Sequence, residues 1–197
     1  MRIRDAEKQA LVKQKTIELI GKHGFEGFSI AKLAKACKIS VATVYIYYKD
    51  KDDLINSISS EQAIKMAEAM LKKFDPDGSL EQGIRQQWVN RFEYIKNFPE
   101  NSLFYEQLRS SVYYESFYKD LTEKISPIFG KFLRNMKERE EMEDLSLEVY
   151  WAIAFGPLYS LIKFHLDGQS IGGRNFSFTD RIFDDTLKLV LKALKKQ

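Results

Sequence analysis

The chain is poor in the residues that most chemistry requires. Its 197 residues hold one cysteine, Cys37, so no disulfide can close within it, and nothing points to an oxidising compartment. There are two histidines, His23 and His165, and no His-Glu-x-x-His, phosphate-loop or nucleophile-elbow spacing. The acidic cluster at Asp50, Asp52 and Asp53 lacks the loop glycine and distal glutamate of a calcium loop. No apolar run approaches the roughly 18 residues of a membrane helix, and the charged N-terminus lacks the apolar core of a signal segment. These absences argue against an enzyme, a metal site, a cofactor site and a membrane protein. The expectation is a cytoplasmic one.

What is present is helical pattern and unevenly placed charge. The formal net charge is only +3, but residues 1–50 hold ten Lys and Arg against five Asp and Glu, and the rest of the chain is slightly acidic. A basic head on a near-neutral body suits a head that meets phosphates. Ser29 and Ser40 are N-cap candidates for two short helices. Ile30, Leu33, Ala34 and Cys37 fall at helical spacing in the first, and Val44 and Tyr48 in the second. Ala34 is small where the two helices must cross. Cys37-Lys38-Ile39 leaves room only for a sharp turn, so the pair reads as a helix-turn-helix whose second helix enters the major groove of DNA.

At these residues the chain resembles the tetracycline-repressor (TetR) family of transcription regulators. That pattern is roughly Ser/Thr-Ile-x-x-Ile-Ala-x-x-Ala-Gly-Val-Ser-x-Gly-Thr-Leu-Tyr-x-His-Phe-x-Ser-Lys-x-x-Leu. Ile30, Leu33, Ala34, Cys37, Ile39, Ser40, Thr43, Val44, Tyr45, Tyr48, Lys51 and Leu54 match it or nearly so. Lys38 replaces the turn glycine, Ala42 a common glycine and Tyr47 the common histidine. A non-glycine residue in a left-handed turn costs about 1 kcal/mol, which is tolerable.

The recognition helix offers Val41, Ala42, Thr43, Tyr45, Ile46 and Tyr47, with Ser40 at its start. Val41 and Ala42 suit thymine methyl groups. The resemblance implies that Thr43 and Tyr45 touch the DNA and that Lys51 pairs with a phosphate. Tyr48 is the aromatic core position.

The remaining pattern is helical throughout, with no repeat and no strand, giving an all-α chain of about nine helices. Arg2 and Arg4 form a basic arm whose simplest reading is a frayed terminus. Helix 1 runs from about 6 to 23 and ends at Gly24. Helix 4 is capped by Asp50 and continues to about 74. Asp75-Pro-Asp-Gly78 is a turn, and Ser79 with Gln82 forms a capping box for helix 5. Pro99 opens helix 6. Pro127 either kinks or restarts helix 7. The stretch from Leu145 to Leu166 is apolar nearly all round, which predicts a helix buried on more than one side and bent at Gly156-Pro157. Helix 9 starts near Thr179.

The division expected is a DNA-binding head, 1–50, and a body, 51–197, for ligand binding and dimerisation. Trp88, Phe92, Tyr105, Phe117, Trp151, Phe155 and Tyr159 are the candidate ligand wall, because the family binds effectors between helices 5 to 8 and an aromatic lining suits a hydrophobic or aromatic ligand. Helices 8 and 9 carry more apolar surface than one protomer covers. They are expected to form a homodimer contact, with Leu187 and Leu191 facing outward, and two-fold symmetry then demands a roughly palindromic operator. The reading is a dimeric regulator, a repressor released from double-stranded DNA by a small-molecule effector. The alternative is an all-helical partner-binding protein, or a constitutive DNA-binding regulator with no small-molecule switch.

Overall fold

Nine α-helices and one 3-10 turn, Ile171–Gly173, account for the regular structure of the described residues, 3–196, with side chains from Asp5 onward, in a computed structural model. Arg2 and the Arg4 side chain lie outside the described residues. The helices are α1 (Ile3–Gly27), α2 (Ile30–Cys37), α3 (Val41–Tyr47), α4 (Lys51–Leu71), α5 (Leu80–Asn97), α6 (Pro99–Arg109), α7 (Tyr114–Glu138), α8 (Leu147–Asp167) and α9 (Asp180–Leu194). None of the described helices is long and apolar enough to cross a membrane.

Local chemistry sets most of these boundaries. Gly24 breaks the α1 path with φ 68° and ψ 177°, a conformation open essentially to glycine alone. Ser79 and Gln82 form a reciprocal box: the Gln82 amide donates to Ser79 Oγ at 3.3 Å, and the Ser79 amide to Gln82 Oε1 at 2.9 Å. Pro99 sits in the first turn of α6, where its missing N–H leaves no bond unmade. Helix α7 runs unbroken through Pro127, and α8 through Gly156-Pro157. Gly168, at φ 67°, closes α8.

The chain packs as two compact units. One is Met1–Ala69 with Tyr94–Lys124, the other Met70–Glu93 with Ile125–Gln197. This cut differs from the expected boundary at residue 50, and the reason lies in long-range packing. Helix α1 packs along α6. At Gly21 a Cβ atom would stand 3.1 Å from Leu103 Cβ and 3.2 Å from the Phe104 amide nitrogen, so glycine permits the close crossing. Gln14 and Glu100 bond across it, Asn101 donates to Gln62 Oε1 of α4 at 2.8 Å, and Lys13 pairs with Glu61. The three-helix head is therefore built into a larger first unit.

In the second unit α9 lies against α8. Trp88 of α5 is buried and its indole donates to the Ala154 carbonyl at 2.7 Å. Helix α8 buries one stripe, Tyr150, Ala154, Phe155, Leu158 and Ile162. It leaves Leu147, Val149, Trp151 and Leu166 exposed in the single chain, so within the protomer it is not buried on more than one side as expected.

The expected outward orientation of Leu187 and Leu191 is corrected. Leu187 has no exposed surface, and with Val190, Leu191 and Leu194 it forms the buried stripe of α9 inside the protomer. Its 187-190-191-194 spacing is that of a single core-facing edge. Leu187→Ala should therefore cost about 2–5 kcal/mol of protomer stability. The check is urea unfolding, and a variant with an unchanged midpoint would show that the site is not core.

Candidate functional site

The helix-turn-helix is built from two caps and one left-handed residue. Ser29 Oγ accepts from the Lys32 amide at 3.3 Å, starting α2. Lys38, at φ 55° and ψ 42°, ends it. The Lys38 amide bonds back to the Lys35 carbonyl at 3.2 Å, and the Ile39 amide to the Ala34 carbonyl at 3.0 Å. Lysine thus takes a position where glycine would be unstrained. Two residues later Ser40 Oγ accepts from the Thr43 amide at 3.1 Å and lies 2.8 Å from Thr43 Oγ1. The Tyr48 amide closes α3 on the Val44 carbonyl at 3.1 Å.

Helix α3 then presents a sorted surface. Val44 is wholly buried and Tyr48 nearly so, and burial raises the Tyr48 phenol above its ordinary pKa. Ser40, Val41, Ala42, Tyr45 and Ile46 are exposed, Ile46 to 76%, while Thr43 and Tyr47 are half-buried. Lys51 is half-buried too. Its ammonium lies 3.5 Å from the Phe28 carbonyl and 5.6 Å from the Phe28 ring centre, which holds it beside the end of α3. Lys35, Lys38 and Lys49 stand exposed around the same motif and are not among the DNA-contact candidates read from sequence. The local excess of lysine was the signal for them.

Just past α3, Asp50 Oδ1 accepts from the Asp53 amide and Asp53 Oδ2 from the Lys49 amide, each at 2.8 Å. Asp52 accepts from the Tyr113 hydroxyl at 2.5 Å. Burial and the Asp52 carboxylate push the Tyr113 phenol up to about 12, so it remains a donor. Tyr113 packs on Phe25 at 5.2 Å, and the turn after α6 is thereby tied to the first turn of α4.

The seven expected ligand-wall residues fall into separate groups. In the first unit, Phe117 is buried and Tyr105 half-buried, their rings 5.4 Å apart. In the second, Trp88 is core, and half-buried Phe92 meets His165 at 5.7 Å and Phe178 at 5.0 Å. Trp151, Phe155 and Tyr159 form one stripe of α8, and Trp151 is 45% exposed. That stripe surrounds Arg91 of α5, whose guanidinium carbon lies 5.0, 4.3 and 5.9 Å from the three ring centres.

Arg91 Nη1 donates to the Tyr159 hydroxyl at 2.7 Å, and Nε has no partner. Sequence reasoning missed Arg91. The signal was its place in the Ile84-Trp88-Arg91 spacing, which puts a cation on the buried face of α5. An open depression of about 510 Å³ near the end of α8, lined among others by Leu161, Phe164, Ile171 and Arg174, contains none of the seven expected residues.

A capped two-helix unit with a left-handed turn, an exposed second helix and clustered lysines defines a helix-turn-helix DNA-binding regulator. Residues 14–58 match the family described as bacterial regulatory proteins, tetR family. A crystal structure of a TetR family transcription regulator from Marinobacter aquaeolei superposes with a TM-score of 0.83 at 25% identity, covering 100% of both chains. An HTH-type transcriptional regulator of Haemophilus influenzae, described as uncharacterized, is 23% identical over 92% of each chain. The structure of FadR from Bacillus subtilis in complex with stearoyl-CoA shares the fold, with a TM-score of 0.69 at 16% identity, covering 93% of this chain and 98% of that one. The chain belongs to the TetR family of DNA-binding transcriptional regulators.

Helix α3 has seven residues, so its cap carries weight. Ser40→Ala should lower stability by about 1 kcal/mol, read by chemical unfolding. An unchanged unfolding free energy would mean that the Ser40–Thr43 contacts contribute nothing.

Proposed function

We propose that this regulator binds a roughly palindromic operator as a homodimer and represses transcription there. We further propose that a small molecule with a hydrophobic or aromatic body releases it. Residues 1–50 act as the DNA-binding part, and the rest serves ligand binding and dimerisation. The observation that carries the reading is the exposed face of α3, where Ser40, Val41, Ala42, Tyr45 and Ile46 meet solvent around a single buried anchor. A helix so exposed, bordered by lysines, suits a groove that supplies phosphates at its edges and thymine methyls on its floor. Thr43 and Tyr47 flank that face, and Lys51 is the proposed phosphate contact.

Pairing through α8 and α9 is supported by the exposed small residues Ala152 and Ser160, with Gly156 between them where an added Cβ would meet nothing within 4 Å. Small side chains let two helix backbones approach closely. Ala152→Glu should then give monomers by sedimentation, and an unaltered dimer would place the contact elsewhere.

A ligand releases DNA only by binding the DNA-incompetent state more tightly, and a coupling of about 1–3 kcal/mol, 5–150-fold, is the usual scale. The relative bound to stearoyl-CoA supports a ligand with a long apolar body. Within the first unit, the Tyr113–Asp52 bond is one route by which a shift at the α6–α7 turn reaches the segment after α3.

The test is selection of bound DNA from a random pool, followed by affinity against salt. Lys51→Ala should weaken binding to all sequences and lower the salt slope by about one unit, as one lost phosphate contact requires. An unchanged slope would remove Lys51 from the interface, and no selected sequence would remove the operator reading. Selected DNA that no compound in a hydrophobic panel releases would favour the constitutive regulator.

A further inference from the structure

Arg91 is 3% exposed, and among the described residues no carboxylate pairs with it. A buried charge of that kind is costly unless paired and hydrogen-bonded. Its neighbours give it only part of what it needs. Three aromatic rings offer their faces, which favours a cation. The Tyr159 hydroxyl takes one N–H, while the Nε–H donates to nothing. Buried Tyr150 stands near enough for the Arg91 charge to act on it, and it too is uncharged.

An arginine needs five acceptors in a fixed fork and prefers a planar anion. Helix α5 therefore holds a desolvated guanidinium whose Nε–H is unpaired, walled by the rings of Trp151, Phe155 and Tyr159. The missing complement is a small anion joined to an apolar body.

The geometry points to Arg91 as the anchor for the carboxylate of an acidic effector, with the Trp151-Phe155-Tyr159 stripe receiving its hydrocarbon or aromatic part. This rests on the reading that a small molecule releases the regulator from DNA, and it narrows that molecule to an organic anion. A carboxylate accepts two parallel N–H bonds from a guanidinium, and charge-assisted bonds of that kind exceed neutral ones. An ester or alcohol of the same body offers the rings as much and the guanidinium far less.

The probes are decanoate, hexadecanoate and 2-naphthoate, each beside its methyl ester, tested on the full chain by calorimetric binding and by release of selected DNA. At least one acid should bind and release DNA about tenfold or more better than its ester. Arg91→Met, which keeps much of the side-chain volume and removes the charge, should bind DNA as before and abolish that preference. Arg91→Lys should recover part of it. If Arg91→Met does not fold, Arg91→Lys carries the test, and it should show an acid preference smaller than that of the wild type without losing ester binding.

Equal action of acid and ester on both wild type and Arg91→Met would overturn the anion anchor and leave the effector reading intact. Acids and esters all inert would overturn the anchor. If a wider neutral panel were also inert, the effector reading would fall with it. If the acids are inert and Arg91→Met sediments as a monomer, the guanidinium belongs to a carboxylate of a second copy and the proposal is wrong.

Discussion

Val44 is the wholly buried residue of α3, and the proposed DNA-facing surface depends on it. A helix of seven residues has no stability of its own in water, because nucleation costs more than two turns return. Burial of Val44, the Ser40 cap at one end and the buried Tyr48 at the other fix its axis and rotation. Once they do, the outward residues follow from the 3.6-residue period: Ala42 and Ile46 lie on the far side from Val44, and exposed Val41 and Tyr45 lie on the flank of the helix. The helix exposes apolar side chains because its support needs so few of its positions.

That support extends through the first unit. Helix α2 holds α3 through a turn tight enough to force Lys38 into the left-handed region. Helix α1 holds α2 and is held in turn along α6, at a crossing that Gly21 makes close. The acidic first turn of α4 caps itself and receives Tyr113. The recognition helix is thus the free end of a packed series that includes α6 and the start of α7.

What was legible in the sequence is what short-range chemistry decides. The Ser29, Ser40 and Asp50 caps, the Ser79–Gln82 box, the Asp75–Gly78 turn, Gly24 and Pro99 each act over four residues or fewer, and each stands where its residue type placed it. The burial of Tyr48 followed from its motif position. What was hidden depends on partners distant in sequence. Leu187 and Leu191 are buried within the protomer, on a helix that packs against α8 of the same chain. The unit boundary was hidden because one glycine, Gly21, decides how closely α6 approaches. Arg91 was hidden because a lone arginine in a helix is usually solvated, so its place in the Ile84-Trp88-Arg91 spacing is a weak signal until the α8 stripe encloses it.

In the proposed function, the exposed apolar face of α3 reads base edges through thymine methyl groups, with lysines supplying phosphate contacts. The most direct measurement replaces each thymine of a selected operator by deoxyuridine, which removes the methyl group and keeps every hydrogen-bonding edge. Each half-site should contain positions where that change weakens binding, by about fourfold for each methyl group buried. Ile46→Ala should make some of those positions indifferent to the change. An operator fully substituted with uracil that binds as tightly as the thymine form would contradict this readout.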